Sequence, residues 1–248
     1  MDALKDAKLN SFKIGKSDLG FVYEYDDKGY IYCKFGKRSS IVKTLSPQEK
    51  FKEVKTENWP NCHMFMSLSE DPENGQQIAI EHKAWIFANP LVQLRALADK
   101  INEALLSNGF VLSINPITQE KKFWDLIKQY DGQIEELKLT FNTPNLFNLE
   151  NTLNEDLKKV RDINNATEAS MILKNKEGNL KVPEDNSLIK ESVEYIGKGG
   201  GEYRIKAKKR IITSKDNVRS KSISTEIELE TSDKDAVLKF AKEIFGDK

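Results

Sequence analysis

One segment of this chain concentrates residues that could bind a polyanion. Between Tyr195 and Lys221, nine lysines and arginines stand against two acids, Glu202 and Asp216, a net charge of +7 in a chain that is neutral overall. The nine cations are Lys198, Arg204, Lys206, Lys208, Lys209, Arg210, Lys215, Arg219 and Lys221. A local positive field of this kind suits the phosphate backbone of nucleic acid. The segment therefore predicts a nucleic-acid contact surface built from these nine side chains.

The same segment has an alternative explanation within a sheet. In a strand, Arg204, Lys206 and Lys208 share one face, as charged residues do in any half-buried surface strand. Residues 222–230 predict a neighbouring strand with one acidic face, whose carboxylates can pair with those cations. The acids are Glu226, Glu228 and Glu230. On this alternative the positive field is cancelled, and the protein is an interaction module for other proteins.

A glycine-rich run, Gly197–Gly201, directly precedes the basic strand. Backbone N–H groups of such runs can cradle phosphates, with Lys198 adding charge. However, these glycines follow a predicted helix and open a strand, whereas those of nucleotide-binding loops follow a strand and open a helix. The order argues against a nucleotide site. It leaves two alternatives, a helix C-terminal glycine with a connector or a loop that contacts nucleic acid.

Glu81-His82-Lys83, after an apolar run, matches half of a metal-dependent nuclease motif. In such sites a carboxylate holds the cation and the lysine orients the attacking water. The first acid is missing, because Asp71 lies about four strand residues, or ~13 Å, from Glu81 in the predicted hairpin. A nuclease using Glu81 and Lys83 is therefore an alternative function, and a strand with alternating exposed charges is the plainer interpretation.

The sequence predicts neither a metal site nor a cofactor. The Cys62-His63 pair stands far from His82 and Cys33, without the ligand spacing of a zinc site. Two cysteines are too few for a disulfide framework, so both are expected to be reduced. The first eight residues lack the apolar run of a signal peptide, and no stretch is long enough to span a bilayer. We therefore expect a cytoplasmic protein with no membrane partner.

Apolar periodicity predicts an α+β protein with two domains, residues 1–110 and 111–248. The first begins with hairpins, one turning at Asp26–Gly29 and one around residues 71–75, followed by a helix that starts at Asn89-Pro90. The second alternates strands and helices, which predicts a mixed sheet, and it ends in a helix after Ser232. With 248 residues and 38% apolar composition, the chain can bury a stable core.

The order of elements over residues 60–196 resembles that of phage-exclusion proteins of the RexA type and, more loosely, defence proteins of the KwaB type. The resemblance lies in a strand at Met64–Leu68, a strand from Ile78, the helix after Asn89-Pro90 and, much later, the run from Ala169 to Leu180. It implies a homodimeric or oligomeric intracellular protein that binds duplex DNA without sequence preference in phage exclusion or defence. It assigns no binding residues, so these are predicted from charge alone.

The hypothesis from the sequence is a non-enzymatic, non-sequence-specific DNA-binding protein that acts in phage exclusion or defence. Its affinity comes from lysine and arginine contacts to phosphates and should fall steeply with salt. The alternatives are a metal-dependent nuclease effector and a protein-interaction module of a multi-protein defence complex.

Overall fold

The structure, a computed structural model, describes residues 2–68, 76–105, 111–143, 152–223 and 233–246. It confirms the α+β class. The chain forms two compact units. The first contains the described residues within Met1–Ser69, Gln76–Ser113 and Ile223–Lys248, and the second those within Ile114–Ser222. Among the described helices, none is long and apolar enough to cross a membrane.

The first unit contains a five-stranded antiparallel sheet and a separate two-stranded ribbon. In chain order the strands are β1 (Phe12–Ile14), β2 (Ser17–Asp27), β3 (Tyr30–Lys37), β4 (Ser39–Thr44), β5 (Glu53–Asn58), β6 (Asn61–Leu68) and β7 (Gln76–Ile80). The sheet has the order β1-β2-β3-β6-β7, and β4 pairs only with β5 among the described strands. The predicted hairpin between β2 and β3 is present, with Lys28 and Gly29 at positive φ in its turn.

The central strands of this sheet are buried on both faces. On β3, Ile31 and Cys33 face one side and Tyr30 and Tyr32 the other, and all four are buried. Two α-helices are described in this unit, α1 (Pro90–Leu105) and the last described helix (Lys234–Phe245). The last helix packs against the tyrosine side of the sheet, joined there by Phe65 of β6.

The position of the last helix differs from the predicted domain division. The division at residue 110 assigned it to the C-terminal domain, but its apolar side contacts the sheet of the first unit. The contacting residues are Val237, Leu238 and Ala241. The division assumed that sequence neighbours share a core, whereas apolar burial is non-directional and does not depend on sequence separation.

The described part of the second unit is a two-layer arrangement of one sheet and three α-helices. Its elements are α2 (Glu120–Gln129), β8 (Ile134–Asn142), α3 (Thr152–Asn164), β9 (Glu168–Lys174), α4 (Ser187–Tyr195), β10 (Gly201–Ala207) and β11 (Arg210–Thr213), and the last helix of the chain is α5. The strand order is β11-β10-β8-β9. All described pairs are antiparallel, whereas a mixed sheet was predicted. Residues 111–117, part of which was predicted as a strand, form none.

Burial alternates along β9 and β10 and along most of β8 in this second sheet. On β10, Tyr203, Ile205 and Ala207 are buried, while Arg204 and Lys206 between them are partly exposed. The buried residues join side chains of α2, α3 and α4 in one core cluster. The helices thus cover one face of the sheet. The other face, which we call the open face, carries the polar side chains of the alternation.

Candidate nucleic-acid interface

On the open face, charged side chains of three neighbouring strands, β10, β8 and β9, lie opposite one another. Arg204 of β10 lies opposite Lys138 of β8, and Lys206 lies opposite Glu136. On the other side of β8, Glu136 lies opposite Lys174 of β9. The alternation of apolar and polar residues positions them, because each apolar neighbour is buried on the helix side. The open face therefore places one acid, Glu136, between the cations Lys206 and Lys174.

Acids of β8 neutralise most of the basic strand. Glu136 contacts two cations at once, with Arg204 Nη1 at 2.8 Å from one carboxylate oxygen and Lys174 Nζ at 3.1 Å from the other. Lys206 Nζ lies 2.5 Å from Glu135. The hydrogen bond from Lys174 and the nearby cations lower the pKa of Glu136, so it is firmly ionised at neutral pH. The predicted pairing partners Glu226, Glu228 and Glu230 lie outside the described residues.

Two further predicted cations also have carboxylate partners. Lys198 lies 3.1 Å from Glu194, one helical turn earlier in the chain. Lys215 lies 3.6 Å from Glu202. Because each pair combines one positive and one negative charge, these sites add little to a long-range positive field.

Lys208 and Lys209 in the turn between β10 and β11, with Arg210 at the start of β11, form what we call the basic turn, which differs from all of these sites. Its residues Lys208, Lys209 and Arg210 are exposed, and no described carboxylate forms an ion pair with them. Lys208 donates its backbone N–H to Gln133 at 3.1 Å, which fixes the turn beside the start of β8. Arg210 lies 3.5 Å from the Tyr130 hydroxyl at the end of α2. The structure thus presents three consecutive cations at one end of the sheet.

The backbone of the basic turn is unusual for a lysine. Lys208 has a φ of +50°, in the left-handed region where glycine is preferred and residues with a Cβ are uncommon. A lysine therefore stands where glycine would fit the backbone better. Backbone strain of this kind is found disproportionately at functional positions.

The last two predicted cations follow in the segment after β11. Arg219 is exposed, and its backbone N–H donates to the Ile117 carbonyl at 2.7 Å, so its position is fixed by the main chain. Lys221 is exposed as well. The structure places both in the same unit as the basic turn.

The glycine-rich run is a packing device. α4 continues through a π-helical turn, Ile196–Gly200, and β10 begins at Gly201. Gly200 and Gly201 are buried, and a Cβ on Gly201 would lie 2.0 Å from the Thr140 carbonyl oxygen. Gly199, with φ +89°, takes the left-handed conformation common after helices. Close packing against the Tyr195 ring and the Thr140 backbone explains Gly200 and Gly201 without a bound phosphate.

The Glu81 and Lys83 side chains bind each other. Their charged groups are 2.8 Å apart, Glu81 also accepts the His63 backbone N–H at 3.2 Å, and Lys83 donates to the Asn61 carbonyl at 3.2 Å. Among the described residues no three His, Cys, Asp or Glu side chains cluster as metal ligands. Asp71 lies outside them. The carboxylate that the nuclease hypothesis assigns to a cation is thus held by the lysine.

The cysteines are not poised as nucleophiles. Both Cys33 and Cys62 are free and buried. Burial raises the pKa of Cys33 to about 12 and also raises that of Cys62. Thiols with such pKa values remain protonated at neutral pH, and the thiolate is the reactive form.

Sequence reasoning missed the residues that decide which cations stay exposed. Glu135, Glu136 and Lys174 were not singled out, because their pairing depends on the register between strands that are far apart in sequence. The signal available was the alternation along β8, which places charged residues on the open face.

No family model, curated protein or solved structure matches this chain.

Proposed function

We propose that this protein binds nucleic acid, with duplex DNA as the preferred form, without reading its sequence. The observation that carries the proposal is the basic turn. Lys208, Lys209 and Arg210 are exposed and lack carboxylate partners among the described residues, whereas Arg204, Lys206, Lys198 and Lys215 are paired. Exposed cations release counterions from phosphates on binding, which drives affinity independently of base sequence.

The proposal ranks the predicted cations by how much each is expected to contribute to phosphate binding. The basic turn makes the principal phosphate contacts, and the exposed Arg219 adds to them. The four paired cations contribute less, since each must leave a carboxylate to bind a phosphate. Neutral overall charge fits such a small contact surface, because the rest of the protein does not add to the field.

The test is the binding of a labelled duplex at about 50 and 200 mM salt. The three contacts of the basic turn alone predict an affinity loss of about 40-fold between these concentrations, and further contacts increase it. The variant K208G/K209S/R210S removes the three charges and places glycine at the left-handed position, so the fold is favoured rather than strained. We expect it to bind at least about tenfold more weakly at low salt, with a shallower salt dependence.

A matched control removes the same charge from the first unit. K16S/K239S/K242S replaces three exposed lysines there and should bind as the wild type does. If both variants lost the same affinity for the duplex, net charge alone would explain the effect. That result would overturn the assignment of binding to the basic turn. Absence of wild-type binding at 50 mM salt would overturn the proposal itself.

The same assay addresses the nuclease alternative. Duplex cleavage that requires Mg²⁺ and disappears in Glu81→Ala would replace the binding proposal by a catalytic one.

The role in phage exclusion rests on the resemblance alone. It is tested by challenging bacteria that express the wild type or the basic-turn variant with phage, and equal plaque counts with and without the protein would contradict it.

A further inference from the structure

The ribbon of β4 and β5 with its connecting turn, which we call the arm, exposes several apolar side chains. Every residue from Ser39 to Asn58 is described, and none is buried. Ile41, Val42 and Phe51 are 42%, 57% and 63% exposed. A two-stranded ribbon without a packed face is marginally stable in water, so an arm of this kind normally has a partner.

The base of the arm is fixed to the sheet of the first unit. Arg38, directly before β4, forms ion pairs with Asp18 of β2 at 3.1 Å and with Glu57 of β5. Its backbone N–H also donates to the Asp18 carbonyl at 2.9 Å. The hydrogen bonds to Glu57 and Asp18 raise the pKa of Arg38. The direction of the arm is therefore set within its own unit.

Along the outer edge of β5, no described strand pairs with the backbone groups. Leu45 N–H donates to the Lys52 carbonyl at 2.9 Å, so the backbone groups of Lys52 face β4. Backbone groups alternate sides along a strand, and those of Glu53, Lys55 and Glu57 consequently face outward. An exposed edge of this kind is a template for another strand.

Charge selects how a second β5 can pair there. In an antiparallel pair of identical strands, a register centred on Lys55 places lysine opposite lysine at the centre and Glu53 opposite Glu57 on both sides of it. All three of these contacts bring like charges together. A register centred on Val54 places Glu53 of each chain opposite Lys55 of the other, with the two valines between them. Opposite charges across strands stabilise a pair and like charges destabilise it.

We propose that the arm pairs with the arm of a second copy of this chain through antiparallel β5 strands centred on Val54. The interface is symmetric, because the same patch serves both copies. The alternative register centred on Thr56 uses Glu57 opposite Lys55, but Glu57 is already bound by Arg38. The alternating charges of Glu53 and Lys55 are complementary to themselves, which favours a second copy over an unrelated partner.

A symmetric cross-link tests the register directly. The backbone groups of Val54 face β4, so two Val54 residues across the two-fold axis form a non-hydrogen-bonded pair with Cα atoms about 4.5 Å apart. This separation suits a disulfide. Val54→Cys should therefore form a covalent dimer on mild oxidation, while the exposed β4 variant Thr44→Cys should not. The native cysteines are buried and do not compete.

Charge reversal tests the same pairing at equilibrium. In sedimentation of the full chain, we expect a dimer whose dissociation constant rises about tenfold in Lys55→Glu and in Glu53→Lys. The double variant E53K/K55E should restore it, and Lys16→Glu, outside the arm, should leave it unchanged. A monomer at about 50 µM, or a dimer that neither cross-links through Val54→Cys nor responds to these reversals, would overturn the proposal.

Discussion

The two main sheets differ in whether one or both of their faces are buried. In the first unit, neighbouring residues of β6 such as Met64 and Phe65 point to opposite faces, and both are buried. In the second unit, Leu139 of β8 is fully buried while its neighbour Lys138 is partly exposed. A sheet covered on both faces serves as a structural core. A sheet covered on one face can present charges, and the residues that keep those charges paired or exposed determine what it can bind.

Alanine substitutions in the two sheets should give the largest effect, a change in the free energy of unfolding that differs between the sheets. Met64→Ala and Phe65→Ala should each lower the free energy of unfolding, by about 2–5 and 3–5 kcal/mol respectively, because both create cavities. Leu139→Ala should cost about 2–5 kcal/mol, whereas Lys138→Ala should change it by less than about 0.5 kcal/mol. Urea denaturation followed by circular dichroism measures all four. A neutral Met64→Ala would contradict burial on both faces of β6.

Replacing a glycine by alanine should also cost different amounts of stability in the two sheets, and this difference is smaller. A Cβ at Gly201 would lie 2.0 Å from the Thr140 carbonyl oxygen, whereas a Cβ at Gly36 of β3 would lie 3.0 Å from the Pro60 carbonyl oxygen. Gly201→Ala should therefore destabilise the second unit by about 1–3 kcal/mol or more, since the contact is with backbone. Gly36→Ala should cost less. Thermal unfolding compares them, and the reverse ranking would refute the packing explanation of the glycine-rich run.

Acid should weaken the first unit through His63. Its ring accepts or donates a 2.7 Å hydrogen bond with Tyr32, and burial lowers its pKa below the usual 6.5. As pH falls below about 6.5, the unfolded chain gains a proton that the folded chain resists, so stability is lost until the folded-state pKa is reached. Urea midpoints at pH 7.5 and 5.5 measure this loss. It should shrink in His63→Gln and persist in His82→Gln, where the replaced histidine is exposed.

The smallest expected effect concerns the open face. Glu136→Gln releases Arg204 and Lys174, so duplex binding at low salt should tighten by about 1.5- to 5-fold, the equivalent of one surface ion pair. Glu168→Gln removes the same charge from the same face without releasing an ion-paired cation. Fluorescence anisotropy compares the two variants. Equal tightening would show that only net charge matters, and no tightening would restrict binding to the basic turn.

Local signals predicted much of the fold. The turn at Asp26–Gly29 and the helix starting at Pro90 depend on residues close in sequence, and both are present. The helix after Ser232 is also present, but its packing partner is a sheet formed by residues 12–80. Periodicity shows which side of a helix is apolar and does not show which sheet will bury it.

The candidate site was predictable only in part. Positive charge identified all nine cations, and exposure of the basic turn follows from its position between two strands. The pairing of Arg204 with Glu136 depends on the register of β10 against β8, which joins residues 68 positions apart. The arm gave no clear sequence signal, because Ile41 and Val42 resemble core residues and only the structure shows them exposed.

The return of α5 to the first unit affects the order in which the protein can fold during synthesis. In the second unit, every described strand has been synthesised once β11 has left the ribosome. The first unit begins earlier but lacks the helix that covers Tyr30, Tyr32 and Phe65 until residues 234–245 have emerged. Because domains fold as units when their last element becomes available, the unit that starts the chain is the last to be completed.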